Sequence, residues 1–352
     1  MPFFARGPYP DVPGREPFLL AVLALMVAAN RGVPRRLQHA FEQDMIGMNA
    51  NPRISVVVLT HNRLEEATRT VERLLQLPER PAVIVVDNGS SDGTAQALRQ
   101  RFADVRVVEC EANLGAAGRN RGVSAVRTEY VAFSDDDTHW APGSLAHAVD
   151  TLDAAPRVAV LSGRVVVGAD QRADTTCLRM SASPLKRDGL PGPALVGYMA
   201  GACVFRTQAF REVGGYEARL FIGGEESLVS LDLLDRGYAI VYCEALTVTH
   251  HPSPVRHAGL RRRLLARNAA LVAWLRLPLV EAVAASVRAL VVFAKEGAFV
   301  QDVGALAAGV AWALPRRRVV GACVLSMRNQ VREAERAAAT AAPMTAAAEA
   351  DR

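Results

Sequence analysis

Residues 54–63 read Ile54-Ser55-Val56-Val57-Val58-Leu59-Thr60-His61-Asn62-Arg63, an apolar, β-branched run that ends abruptly in polar side chains. A run apolar at consecutive positions suits a strand covered by helices on both faces. Its polar end is then the carboxyl end of the strand, where open parallel sheets bind their ligands. Working outward, Leu64, Ala67, Val71, Leu74 and Leu75 recur at one-face helical spacing, and Val83 to Val86 forms a second buried strand. A helix from Thr94 to Arg101, a strand at Val105 to Val108, a helix from Ala116 to Val126 and a strand at Tyr130 to Phe133 continue the series. The repeated strand and helix predict an α/β fold on a mostly parallel sheet flanked by helices.

Beyond Trp140 the regularity loosens. A helix at Ser144 to Leu152, a strand at Val158 to Val167 and a Gly- and Pro-rich loop from Asp188 to Gly197 are followed by elements at Ala202 to Arg206, Glu225 to Arg236 and Ala239 to Cys243. From Arg261 the chain reads as helices interrupted at Pro278 and Pro315, and the Ala/Glu/Thr-rich residues 333–352 are predicted to be a disordered tail. Residues 1–50 read as an extension, poorly ordered or a short helix. Its apolar run of twelve, Phe18 to Ala29, is shorter than the roughly 20 residues of a membrane-spanning helix and lacks the basic leader of a signal peptide.

A chain of 352 residues with 50% hydrophobic and 22% charged residues has the composition of a globular protein, which excludes general disorder and collagen-like or disulfide-scaffold classes. The net charge of +5, from 41 basic and 36 acidic residues, is too mild to point to nucleic acid. Only Lys186 and Lys295 are lysines, so 39 basic residues are arginines, a bias that reads first as genomic base composition. The five cysteines are scattered and form no C-x-x-C pair, which argues against a zinc site and for a reducing compartment.

Four polar clusters fall at predicted strand ends. Thr60-His61-Asn62-Arg63 follows strand one, and Asp87-Asn88-Gly89-Ser90-Ser91-Asp92-Gly93-Thr94 follows strand two. Taken alone, the second is equally a capped turn. Asn113-Leu114-Gly115-Ala116-Ala117-Gly118-Arg119-Asn120 runs into a helix start with guanidinium groups nearby, which suits diphosphate oxygens. Ser134-Asp135-Asp136-Asp137-Thr138 places three carboxylates at one strand end with no adjoining lysine or arginine. Their mutual repulsion is costly without a cation, and hard oxygen ligands suit Mg²⁺ or Mn²⁺, with a substrate's phosphates completing the shell.

These four motifs, in this order over roughly two hundred residues, resemble the family 2 glycosyltransferases of the GT-A fold, from Ile54 to about His251. The resemblance implies a Rossmann-like GT-A domain over residues 51–255, with a nucleotide-binding half at 51–140 and an acceptor half at 141–255; the helical pattern that follows gives a C-terminal helical region at 256–332. It implies that Asp87 contacts the nucleoside of a nucleotide-diphosphate sugar, that Thr60, Asn62 and Arg63 help hold it, and that Gly115 and Arg119 lie near the nucleotide. Asp135 and Asp136 would bind the nucleotide, and Asp137, assisted by Asp135 or Asp136, the divalent cation. In the second half, Gly223-Gly224-Glu225-Glu226 is similar to the family segment whose acidic pair, usually Glu-Asp, opens a helix and supplies the general base. Glu226 is the favoured base and Glu225 the alternative, or both simply favour a helix N-terminus. His250, with His251 next, stands where related transferases complete the metal shell, and Arg267-Asn268 resembles the pair that faces the donor phosphates.

The implied reaction is transfer of a hexosyl or deoxyhexosyl group to a hydroxyl acceptor with inversion. The expected place is the cytoplasm, either free or peripheral on the inner face of the cell membrane, and the expected acceptor a lipid-linked or glycan hydroxyl. Two arginine triplets, Arg261 to Arg263 and Arg316 to Arg318, lie among apolar residues; they are expected either to meet anionic lipid or to pack within the helical region. The competing readings are a sugar-phosphate nucleotidyltransferase, whose Gly-rich basic loop is replaced here by L-T-H-N-R, and a non-catalytic sugar-nucleotide or glycan binder.

Overall fold

The computed structural model describes residues 52–168, 171–251 and 258–349. Residues 1–51, including the apolar run at 18–29, lie outside it. The first strand, β1 (Ile54–Thr60), is buried along almost its whole length and sits at the centre of the nucleotide-side sheet. Parallel to it lie β2 (Ala82–Asp87) on one side and β4 (Tyr130–Asp135) on the other, with β3 (Arg106–Glu109) outside β2. The crossovers are α1 (Leu64–Leu75), α2 (Thr94–Arg101) and a 3-10 turn at Gly115–Ala117 running into α3 (Gly118–Ala125). Each helix turns its apolar stripe to the sheet: Ala67, Val71 and Leu74 of α1 are buried, as are Val56, Val57 and Val58 beneath them. The β1 to β2 register pairs Thr60 with Asp87, so two ligand-facing strand ends coincide.

The sheet continues past β4 in the order β4-β9-β6-β10-β5, where β5 is Thr138–Trp140, β6 Val158–Val167, β9 Ala202–Arg206 and β10 Ala239–His250. β9 is antiparallel to both β4 and β6, whereas β6 and β10 are parallel. Short strands β7 (Arg172–Ala173) and β8 (Ala194–Leu195) pair at the flank. Helices α4 (Ser144–Ala154), α5 (Thr175–Ser181), α6 (Thr207–Glu212) and α7 (Glu225–Asp235) complete this half. Phe133, Phe205, Phe210 and Tyr216 form a ring cluster with centroids 5.2 to 6.0 Å apart where the halves of the sheet meet.

Residues from Arg53 onward form one unit, so the C-terminal helices are integral to the fold. These are α8 (Ala258–Arg276), α9 (Leu279–Glu296), α10 (Phe299–Ala313) and α11 (Ala322–Glu349). The tail predicted to be disordered from residue 333 is helical as far as Glu349. Alanine and glutamate, which suggested disorder by composition, are also strong helix formers, and the start of α11 is held by Arg328 and Arg332 on Glu281.

The arginine triplets mostly join helices. Arg262 pairs with Glu296 at 2.6 Å and Arg263 with Asp302 at 2.5 Å, tying α8 to α9 and α10. Arg317 donates to the carbonyls of Ala273, Trp274 and Leu277, and Arg318 reaches Asp232. Arg276 forms a two-pronged pair with the same buried Asp232, at 2.5 and 3.0 Å. Arg316 caps Trp312 O and lies over the Trp312 ring. Packing, the alternative to a lipid-facing role, therefore accounts for five of these six arginines; Arg261 has another position, described below.

Candidate active site

The carboxyl ends of β1, β2 and β4 converge. Thr60 donates to Asp136 Oδ2 at 2.9 Å, and Arg63 donates to Asp136 Oδ1 at 2.9 Å and to Asp137 Oδ2 at 3.3 Å. Arg119, on α3, is buried and pairs with Asp135. The aspartates have no basic neighbour in sequence, yet the fold brings Arg63 from the end of β1 and Arg119 from α3 against them. Gly201 lies so close to Asp135 that an added Cβ would stand 2.4 Å from its carboxylate, so a side chain there would displace the acid.

The three acids differ electrostatically. Burial, only partly offset by Arg63 and the Thr60 hydrogen bond, pushes Asp136 up to about 6. Burial opposes ionisation of Asp137 too, but the hydrogen bond and charge of His250 and the Arg63 guanidinium outweigh it and hold the carboxyl below its usual range. His250 Nε2 lies 3.6 Å from Asp137 Oδ1. The next residue turns away as strand alternation requires: His251 donates its backbone N–H to Asp137 O at 2.9 Å, and its ring stands 5.1 Å from that of His139. Burial, with Arg73 and His251 nearby, lowers His139 to about 4.

At the end of β2, buried Asp87 accepts from Ser90 N at 2.9 Å. Asn62, at φ +53°, joins the first two loops by accepting from Ser91 N and donating its own N–H to Ser90 Oγ. Asn88 braces the third, donating to Asn113 Oδ1 and Gly115 O and accepting from Leu114 N.

Gly115, expected beside the nucleotide, meets Phe221. An added Cβ would stand 1.9 Å from Phe221 O, and Ala116 N donates to that oxygen at 2.7 Å. The glycine, at φ +59°, lets the turn before α3 touch the segment that leads into α7. Phe221 itself is at φ 62°, ψ −65°, and Ile222 N donates to Leu220 O at 2.7 Å. This is the strained γ-turn of positive φ, and it presents Phe221 to a cleft of about 370 Å³ lined also by Arg63, Asp135, Asp136, Asp137 and Arg261.

Glu225 and Glu226 open α7 just past that turn. Glu225 is buried, with one carboxylate oxygen lacking a partner. Burial, and the like charge of Glu225, push Glu226 up to about 7, while Arg119 opposes the shift. Glu226 is within electrostatic reach of Arg119 and Asp135, and of the buried Tyr216 and Tyr198, whose hydroxyls bond at 3.1 Å. Glu226 thus interacts electrostatically with Asp135 of the trio, while neither Glu225 nor Glu226 lines the cleft itself. A second cavity of about 450 Å³ lies beyond α7, among α8, α9 and α11, and none of the expected site residues lines it.

Arg267 was expected to face donor phosphates. It donates instead to Asn268 Oδ1 and to the carbonyls of Arg219 and Leu220, behind the turn. Arg261, earlier on the same helix, lines the cleft. The signal for Arg261 was its place just after the histidines. Asn88 stands inside the second polar cluster with no role assigned to it by the sequence, and Phe221 is given none.

The sequence model described as glycosyl transferase family 2 matches residues 55–214. The chain is 29% identical over 236 residues to the N-acetylglucosaminyl-diphospho-decaprenol L-rhamnosyltransferase of Mycobacterium tuberculosis, covering 56% of this chain and 76% of that one. Its fold matches a mannosyltransferase, PcManGT from Pyrobaculum calidifontis, solved with GDP-Man and Mn²⁺ (TM-score 0.51, 22% identity, 86% and 81% of the two chains). It also matches S. aureus TarS 1-349 solved with UDP-GlcNAc (TM-score 0.52, 16% identity, 73% and 81%). Residues 55–214 thus match the glycosyl transferase family 2 pattern on a GT-A sheet, with the strand-end motifs in that order, and the chain is a glycosyltransferase.

Proposed function

We propose that this glycosyltransferase moves a sugar, with inversion and with the help of a divalent cation, from a nucleotide-diphosphate donor to a hydroxyl of a lipid-linked or glycan acceptor in cell-envelope synthesis. The observation that carries the reading is that Glu226 shares one electrostatic environment with Arg119 and Asp135 while Asp135, Asp136 and Asp137 line the adjoining cleft. The M. tuberculosis relative is named for a diphospho-decaprenol acceptor, which supports the acceptor class. Residues 51–140 serve as the nucleotide-binding half and 141–255 as the acceptor half.

The donor set fits Mg²⁺ or Mn²⁺: a carboxylate held ionised and an imidazole face each other at Asp137 and His250, with Asp135 on the same cleft wall. Among the described residues no three His, Cys, Asp or Glu side chains close around one point, so the protein would supply part of a shell and leave the rest to substrate oxygens. Bound there, the cation supplies charge neutralisation to the departing diphosphate.

Asp87 and the Thr60–Asn62 loop hold the nucleoside end, and Arg63 and Arg261 add positive charge to the cleft that takes the diphosphate. Glu226 accepts the proton of the acceptor hydroxyl. The freed oxygen forms its bond to the anomeric carbon on the face opposite the diphosphate, as the bond from that carbon to the diphosphate oxygen breaks. The anomeric configuration inverts without a covalent enzyme intermediate. Release of nucleoside diphosphate from a panel of sugar nucleotides, with Mn²⁺ and with envelope lipid acceptors, tests the reading; no release with any donor would reject it.

A further inference from the structure

The α9–α10 hairpin leaves an apolar ridge uncovered. On α9, Ala282, Ala285, Ala289 and Phe293 are buried against the rest of the fold. On the opposite side Val280, Val283, Val287 and Val291 follow one another at three- and four-residue spacing and are 81%, 52%, 54% and 51% exposed. At the turn into α10 the ridge continues in Phe299 and in Val300, which is 85% exposed. A helix apolar on both sides is ordinarily buried on both, and an exposed apolar patch of this kind marks a surface that meets something.

The charges of the hairpin are sorted by face. Its three carboxylates all turn inward: Glu281 to Arg328 and Arg332, Glu296 to Arg262, and Asp302 to Arg263. Its two cations, Arg288 and Lys295, are exposed and take part in no ion pair among the described residues; Arg288 also stands at the edge of the cavity among α8, α9 and α11. The outward face is therefore apolar with a positive border and no unpaired acid, the pattern complementary to an anionic lipid surface. Its location agrees. The Arg262 and Arg263 pairs fasten the hairpin turn to the start of α8, whose Leu260, Arg261 and Leu264 line the donor cleft. No helix among the described residues is long and apolar enough to cross a membrane, so contact through this face would be peripheral.

We infer that the Val280–Val291 ridge of α9, with Phe299 and Val300, docks the enzyme on an anionic membrane and so brings the donor cleft to the bilayer surface. The docking follows from the hairpin alone. Its use, delivery of a lipid-linked acceptor, rests on the function proposed above.

The test is flotation of the full chain with vesicles of phosphatidylcholine alone and of phosphatidylcholine with phosphatidylglycerol. The wild type floats with the anionic vesicles. Val283→Gln/Val287→Gln lowers the partition coefficient about tenfold or more, and Arg288→Gln/Lys295→Gln lowers it about fivefold or more on anionic vesicles only. All four side chains are exposed, so melting temperature and nucleoside diphosphate release in solution stay at wild-type values and show that the variants are folded. Failure of the wild type to float, or equal flotation of wild type and both variants because residues 1–51 hold the lipid, overturns the inference. A wild type that sediments as a dimer without lipid, and that the valine variant converts to monomer, also overturns it and makes the ridge a contact between copies. A chain that floats as expected but releases no nucleoside diphosphate defeats the transferase mechanism and leaves the docking surface standing.

Discussion

The buried side chain of Asn268 donates to the carbonyl of Gly223 at 2.7 Å, and the same nitrogen is aimed at Leu220 O and Ile222 O at 2.5 and 3.0 Å. One amide from α8 thereby holds the γ-turn that carries Phe221 and sets the start of α7. Asn268→Ala leaves buried carbonyls without a donor, which costs about 1–3 kcal/mol. Stability to urea is expected to fall by that amount. The turnover number should drop about tenfold or more, because small displacements of a base are costly, while donor binding by calorimetry changes far less. Unchanged turnover in a destabilised variant would show that the brace serves folding alone.

Glu226 links the site's electrostatics to a pH profile. Its carboxyl is pushed up to about 7 by burial and by Glu225, so the basic form gains population as pH rises through neutrality. Transfer should accordingly increase from pH 6 to pH 8. The linkage sign for stability is opposite: the folded chain keeps this proton at a pH where the unfolded chain has released it, so stability from this group falls as pH rises from the ordinary glutamate range to about 7. Glu226→Gln is predicted to lower transfer by at least about a hundredfold, to leave donor affinity nearly intact, and to melt higher than the wild type at pH 8. Melting curves at pH 5 and 8 check the last point; a Gln variant that melts lower at pH 8 contradicts the burial of an ionised base.

The parts of this site that were legible in the sequence are those written locally. A β-branched run such as Ile54 to Leu59 declares a covered strand, and polar residues at its end declare a ligand edge, because period and position carry the information. Asp135 to Asp137 were legible for the same reason. Their neutralisation was not, since Arg63 and Arg119 come from other elements and only the closing of the sheet brings them in. Gly115 shows what a motif leaves unsaid: the fold sets its backbone against that of Phe221, a residue more than a hundred positions away. The tail misled by composition, because alanine-rich sequence lacks a core-forming pattern and yet favours helix whenever one end is anchored.

Arg261 and Arg267 lie on one helix and have been given different work by the fold. Arg261 lines the cleft beside the aspartates, whereas Arg267 is half-buried and bonded to Arg219 O and Leu220 O. Arg261→Ala should raise the donor KM about tenfold, the loss of one charge-assisted contact, without lowering the melting temperature. Arg267→Ala should lower the melting temperature, by roughly 2–4 °C for about 1 kcal/mol, with the smaller effect on KM. The reverse pattern would return Arg267 to the phosphates and require the turn at Leu220 to rearrange on binding.

The Asp137–His250 pair can be tested without turnover. A cation that binds the folded chain and not the unfolded one raises stability by about 2.7 kcal/mol at a hundred times its dissociation constant. Mn²⁺ added with a nucleoside diphosphate should therefore raise the melting temperature of the wild type, and chelation should reverse the rise. Asp137→Asn removes the carboxylate charge that the pair depends on, and His250→Ala the imidazole 3.6 Å away. Both variants should lose most of the Mn²⁺-dependent shift. They should keep the shift given by nucleoside diphosphate alone, because Asp87 and the Thr60–Asn62 loop remain. If both retain the full Mn²⁺ effect, the ion is held elsewhere, and Asp137 acts through Arg63 on the shape of the cleft.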